Sequence, residues 1–343
     1  MTELYHGPSG KGPRIVAIGG GTGLSTMLRG LKRYTNNITA VVTVADDGGG
    51  SGVLRQELGM LPPGDIRNCL EALANVEPLM SDLLHYRFTE GSLRGQSFGN
   101  LFLAALNGIS GSFEQAVSRM SQVLAITGRV LPVTTTDVQL EAEFENGARV
   151  LGESKIFLCK KQEQCRIQRV RLLPERPTAL PEVLTAIHSA DMILLGPGSL
   201  YTSIIPNLLV DGITDAILAA DALKIYVGNV MTQEGETEGY SHADHIRALF
   251  EHSAPGLFSL SLVNSLHIPD QVCQRYATLE GAEPVRVDRQ ACAALGVELI
   301  SRPVSSVING YVRHDAELLA AALLELHARS CVRIAGAGKY HKE

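Results

Sequence analysis

Two stretches decide the fold: IVAIGGGTG at residues 15–23 and ITAVVTVADDGGGSG at residues 38–52. Each is an apolar run that stops at glycines. Between them Leu24, Met27, Leu28 and Leu31 recur at the spacing of a single helix face. The pattern predicts strand, glycine loop, helix, strand and acidic loop. A βαβ unit of this kind carries both loops to the carboxyl ends of adjacent parallel strands, where open α/β sheets bind their ligands. The fold class reads as α/β, a Rossmann-like three-layer αβα arrangement around a mostly parallel sheet.

Gly20, Gly21, Thr22 and Gly23 suit an anion. A backbone without Cβ atoms approaches it closely, and the helix N-terminus behind adds a favourable dipole. A tight turn without ligand is the plain alternative. The dinucleotide fingerprint requires one more glycine where Thr26 stands, which disfavours NAD. A second unit of the same kind follows later. The apolar run Met192 to Leu195 enters Gly196-Pro197-Gly198-Ser199, then the helix-like Tyr201 to Leu209. Two such loops in one chain favour ligand binding over plain turning.

Outward from these units, 343 residues give room for one large domain. Residues 1–13 read as a flexible arm, 14–329 as a single Rossmann-like domain, and 330–343 as a basic tail. Residues 130–172 read as a β-rich excursion with an Asn146-Gly147 hairpin signal, either a small lobe or the arm of a homo-oligomer. Lys160 to Gln168 reads as a solvated turn, and 285–287 as a strand. A net charge of −6 leaves no footprint for nucleic acid. The six cysteines are dispersed without a C-x-x-C pair, so neither a zinc site nor a disulfide framework is expected. No apolar run has the length of a membrane span, and a soluble cytoplasmic protein is expected. His242, His245 and His252 have no carboxylate or cysteine set to complete a metal site and read as solvated.

Polar residues follow the apolar strands repeatedly: Thr22, Asp46, Asp47, Ser199, Asn229 and Asn264. Their convergence at one sheet edge is what a phosphorylated ligand requires. Asp46, Asp47 and Asp65 can share a magnesium ion, although Asp65 also stands where a helix N-cap would. Asn100 either faces the cleft or satisfies backbone. Arg313 and His314 either meet a phosphate or base, or cap the last helix. No serine elbow, thiol with a base, or lysine-bearing phosphate loop is present.

Several motifs in order carry a resemblance: Gly19 to Gly23, the Asp46-Asp47 loop running to Leu54-Arg55, Pro62-Pro63-Gly64-Asp65-Ile66-Arg67, and Gly99-Asn100-Leu101. Gly196 to Ser203, and Gly228-Asn229 with Thr232-Gln233, complete it. Over residues 14–328 the chain resembles the gluconeogenesis factor family, which is related to the phospholactate transferases of deazaflavin coenzyme biosynthesis. The resemblance implies a factor that binds UDP-sugars such as UDP-N-acetylglucosamine and is linked to carbon metabolism, cell shape and wall synthesis. The related branch implies a magnesium-dependent transferase acting on a nucleotide-activated donor. On either branch Gly20 to Gly23, Asn100, Gly196, Gly198, Ser199, Tyr201, Asn229, Asn264 and Arg313 are the expected nucleotide contacts. Where the family commonly has Gly-His, this chain has Gly95-Gln96, which removes a candidate general acid.

Overall fold

The structure is a computed structural model describing residues 12–337, so most of the arm and the tail beyond Ala337 lie outside the described residues. The chain opens with β1 (Ile15–Gly19), α1 (Gly21–Leu31) and β2 (Ile38–Val42). Helices α2 (Gly49–Leu58), α3 (Gly64–Leu73), α4 (Pro78–His85), α5 (Phe98–Ile109) and α6 (Phe113–Val123) then lead to β3 (Arg129–Pro132). The excursion holds β4 (Gln139–Phe144), β5 (Arg149–Leu151), α7 (Glu153–Glu163) and β6 (Ile167–Leu173). After α8 (Pro181–His188) and β7 (Met192–Leu195), a wide turn at Leu200–Ile204 runs into α9 (Ile205–Leu208). Next come α10 (Ile213–Ala219), β8 (Leu223–Val227), α11 (His242–His252), β9 (Leu260–Asn264), α12 (Asp270–Leu279) and α13 (Arg289–Ala294). The chain closes with β10 (Glu298–Arg302), the hairpin β11 (Ser305–Ile308) and β12 (Tyr311–His314), and α14 (Ala316–Ala337).

Seven strands form one parallel sheet in the order β10-β9-β8-β7-β1-β2-β3. Every residue of β1, β2 and β7 is buried, as expected of strands covered by helices on both faces. Strand order reverses between β1 and β7, so the loops after these two strands flank the topological switch point. Leu24, Met27, Leu28 and Leu31 are fully buried, each contributing about 2 kcal/mol through area removed from water. Helix α1 packs between α3 and α14. A methyl on Gly30 would collide with the Ala316 carbonyl and sit 2.9 Å from the Ala320 Cβ. Gly30→Ala is therefore expected to lower stability by about 1–3 kcal/mol, measured by urea unfolding.

Several expectations are corrected. β3 belongs to the main sheet, so the separate antiparallel sheet, order β5-β4-β6, begins at β4. Lys160 is no part of a solvated turn; it lies buried in α7, 3.1 Å from Glu238. Residues 285–287 form no strand, since only single bridges join Pro284 to Met231 and Arg286 to Ser241. The tail through Ala337 continues α14. His242, His245 and His252 are buried, not solvated. His242 Nε2 meets Ser261 Oγ at 2.9 Å, while His245 and His252 turn Nδ1 to the backbone carbonyls of Ser241 and Ala248. Among the described residues no helix is long and apolar enough to cross a membrane.

Candidate functional site

β1 delivers Gly19 to the carboxyl edge of the sheet, and the chain turns through Gly20 to Gly23 into α1. Gly21 has φ +66, where a side chain is strained. Its N–H donates to the Asp65 carboxylate, which a Cβ on Gly20 would strike. Asp65 is thus no cap. Pro63 holds the cap position of α3, and Asp65 sits in the first turn facing the glycine loop.

The second loop lies against the first. A Cβ on Gly23 would be 2.6 Å from the Pro197 carbonyl oxygen, so the two backbones touch. Buried Asn207 ties them further, donating to the carbonyls of Gly19 at 3.1 Å and Ser203 at 2.8 Å. Asn229 grips both peptide groups of Gly198, accepting from its N–H at 3.3 Å and donating to its carbonyl at 2.8 Å. Ser199 donates to Gln233 at 2.7 Å. The carboxylate of Glu236 fills the start of the following turn, accepting from Tyr201 N and Thr202 Oγ1 at 3.1 and 2.8 Å. Burial pushes Glu236 up to about 7.

Between the loops runs a groove of about 410 Å³, lined by Gly20 to Gly23, Gly198, Ser199, Asn229, Gln233, Tyr276, Arg313 and His314, among others. Arg313 and His314 are not helix caps. They end β12, while Asp315 accepts from the amides of Glu317 and Leu318 to cap α14. The Arg313 guanidinium lies over the Tyr311 ring at 5.2 Å and donates to the Tyr276 hydroxyl at 3.3 Å. His314 hydrogen-bonds the Gly228 backbone, burial pushes it down to about 4, and its Nε2 is buried without a partner. A neutral imidazole there offers the groove a ring nitrogen.

Not every expected contact reaches the groove. Tyr201 is buried, its hydroxyl 3.0 Å from that of Tyr240. Asn100 accepts from Arg67 Nε at 3.0 Å. Asn264 pins its own turn through Leu266 and Val304. Sequence reasoning missed Tyr276, quoted Gln233 only as part of a motif without a role, gave Glu236 no role, and left His314 open between ligand and cap.

The three aspartates also separate. Asp47 Oδ1 accepts from Ser154 N at 2.8 Å and so caps α7, a contact across 107 residues. Asp46 accepts from Gly48 N at 2.8 Å. Burial, with Asp46 adding repulsion, pushes Asp65 up to about 6. Glu153, at the start of α7, is pushed up to about 8 by burial and by the surrounding Asp46, Glu236, Asp47 and Asp65. Among the described residues no group of three or more His, Cys, Asp or Glu stands close enough to hold a metal ion, which corrects the expected trio. Asp46 and Asp65 remain as neighbouring carboxylates, Asp46 adding repulsion at Asp65. Two carboxylates completed by phosphate oxygens and water are the donor chemistry magnesium accepts.

A family described as 2-phospho-L-lactate transferase CofD matches residues 15–305. A protein of Thermoanaerobacterium thermosulfurigenes is 56% identical over 317 residues, covering 92% of this chain and 97% of its own length. The Gluconeogenesis factor of Bacillus subtilis strain 168 is 49% identical over 318 residues, covering 92% and 99%. The crystal structure of protein BH3568 from Bacillus halodurans superposes with a TM-score of 0.88 at 47% identity, covering 92% of this chain and all 100% of that one. With the two glycine loops at the switch point and this similarity along nearly its whole length, the chain belongs to the gluconeogenesis factors, within the family that the CofD description covers.

Proposed function

We propose that the groove binds a nucleotide-linked ligand, its diphosphate lying between the Gly20 to Gly23 and Gly196 to Ser199 loops. The backbone contact of Gly23 with Pro197 at the switch point carries this reading, because it makes the two loops one cradle. The base end of the groove is Tyr276, Arg313 and His314, which offer an aromatic edge, a cation and a neutral ring nitrogen. The ligand of the leading reading is a UDP-sugar, UDP-N-acetylglucosamine first, held by a factor linked to carbon metabolism, cell shape and wall synthesis. Titration calorimetry with UDP-N-acetylglucosamine is expected to give saturable binding. Absence of binding to any nucleotide or nucleotide-sugar would sink the reading.

The family match favours a second reading, a magnesium-dependent transferase that moves a phosphorus-containing group from a nucleotide-activated donor. Magnesium, where bound, would be held by Asp46 and Asp65 with oxygens of the ligand, and would neutralise charge on the transferring group. Asp65→Asn tests the pair. The amide still offers Gly21 N–H an acceptor and removes a like charge from beside Asp46. The variant is expected to melt no lower than wild type at pH 7.5 and to lose about ten-fold in magnesium-dependent ligand affinity. Unchanged magnesium dependence would remove Asp65 from the metal. Turnover of an activated phospholactate donor with a deazaflavin acceptor would decide for the transferase.

A further inference from the structure

The amino edge of the sheet, opposite the groove, holds a second hollow of about 290 Å³. Ile15, Ile38 and Arg129 open the parallel strands β1, β2 and β3, so the length of β1 or β2, about 15 Å, separates this edge from the glycine loops. The floor is a row across three strands, since the register sets Val16 beside Thr39 and Thr39 beside Arg129. Side chains of such a row share one face of the sheet. Helix α8 ends at His188, and Ala186 and Ser189 at that end supply one wall. Gly128 closes another: a Cβ there would strike the Ile38 carbonyl, so the turn into β3 lies flush against β2.

The lining sets the chemistry. Thr39 is the one polar side chain of β2 and is only 7% exposed. Its hydroxyl accepts from Arg129 Nε at 2.9 Å, which ties the guanidinium to the row and leaves both terminal nitrogens without an acceptor among the described residues. The other cation of the lining, Arg14, is already matched, its Nε and Nη2 meeting Asp191 at 3.1 and 2.6 Å. No Asp or Glu lines the hollow, so its unmatched charge is that of Arg129. The terminal N–H groups of a guanidinium can meet two oxygens of a carboxylate or phosphate at once. Neutral acceptors stand around them. Asn37 donates Nδ2 to the Gly12 carbonyl at 2.9 Å and Ser189 donates its hydroxyl to the Ala186 carbonyl at 3.2 Å, so the side-chain oxygens of both are left to accept. We infer that the hollow binds a compact hydroxylated anion, its carboxylate or phosphate head on Arg129 and its hydroxyls on Asn37 and Ser189. A volume at the small end of ligand sites suits a skeleton of a few carbons.

The full chain is titrated by calorimetry with glycerol 3-phosphate, glycerate and glycerol, as wild type and Arg129→Gln. The two anions share a skeleton and differ in the head, and glycerol has none. Wild type is expected to bind an anion with Kd below about 1 mM and glycerol at least about ten-fold more weakly, the tighter anion naming the head. Arg129 is exposed, so Arg129→Gln should melt within about 2 °C of wild type. It should weaken the anion by at least about ten-fold and leave the response to UDP-N-acetylglucosamine as in wild type. A wild type that binds neither anion, or binds glycerol equally well, overturns the site whether or not the variant folds. So does an Arg129→Gln protein that holds the anion at wild-type affinity, which would put it in the glycine-loop cradle, or one that weakens anion and nucleotide-sugar alike. All of these leave the reading of the groove standing, and failure of wild type to bind any nucleotide-sugar would remove that reading and leave this site.

Discussion

Gly23→Val is expected to weaken nucleotide-sugar binding by more than about 100-fold while the protein still folds, with stability lowered by about 1–3 kcal/mol. The atoms a Cβ would meet are the Pro197 oxygen at 2.6 Å, the Pro197 carbonyl carbon at 2.9 Å and the Gly198 nitrogen at 3.2 Å. All are backbone, so no rotamer change relieves the collision. The two loops must part, and the cradle with them. Asn229 cannot compensate, because its amide is already committed to both peptide groups of Gly198. Gly108→Ala is the control. It lies in α5 with nothing within 4 Å of the added methyl, so it should leave binding unchanged and stabilise the helix by about 0.5–1 kcal/mol. Calorimetry of the two variants, with melting curves alongside, checks both statements. Wild-type affinity in Gly23→Val would mean that the loops act separately.

What was legible in the sequence was the part governed by local pattern. Apolar runs ending in glycine gave β1, β2 and β7 with the loops behind them, and four leucine-type positions gave the buried face of α1. The hairpin of β11 and β12 carried an equally local signal that went unread. Asn309 and Gly310 both have positive φ, at 53° and 77°, in the Asn-Gly pair that two-residue hairpins favour. Arg313 and His314 do stand just before the last helix, and it is the hairpin that aims them at the groove, the ligand-facing one of the two roles open to them. The acidic loop was not readable in the same way. Asp47 looks identical to Asp46 in sequence, yet it caps a helix that begins 106 residues later, at Glu153. Only the folded excursion separates their roles. The histidines of α11 failed for a related reason: nothing in their spacing says that α11 is buried on nearly every side. Of its eleven residues, eight are buried.

Those buried histidines and the crowded carboxylates make opposite demands on pH, and their balance predicts a ligand-free stability optimum close to pH 7. Glu153, Glu236 and Asp65 have folded values raised to about 8, 7 and 6. For a raised acid the stability contribution is full below the unfolded value and is lost as pH rises through the folded one, so the three weaken the protein between pH 5 and 8. His242 and His314 are lowered to about 3 and 4, and His245 and His252 are lowered too, in each case first by burial. Their contribution is present above the ordinary histidine value near 6.5 and is lost as pH falls below it. Each uncompensated proton tilts the curve by about 1.4 kcal/mol per pH unit. The two sets offset one another between about pH 5 and 6.5, so the alkaline limb is set by Glu153 and Glu236 and the acid limb by the histidines once the carboxylates are protonated. Melting temperature against pH should show that dome. Glu153→Gln, which removes the most strongly raised carboxylate and relieves Asp46 and Asp65 beside it, should flatten the alkaline limb and leave the acid limb in place. An alkaline limb unchanged in Glu153→Gln would mean that the acidic cluster does not govern stability above neutrality.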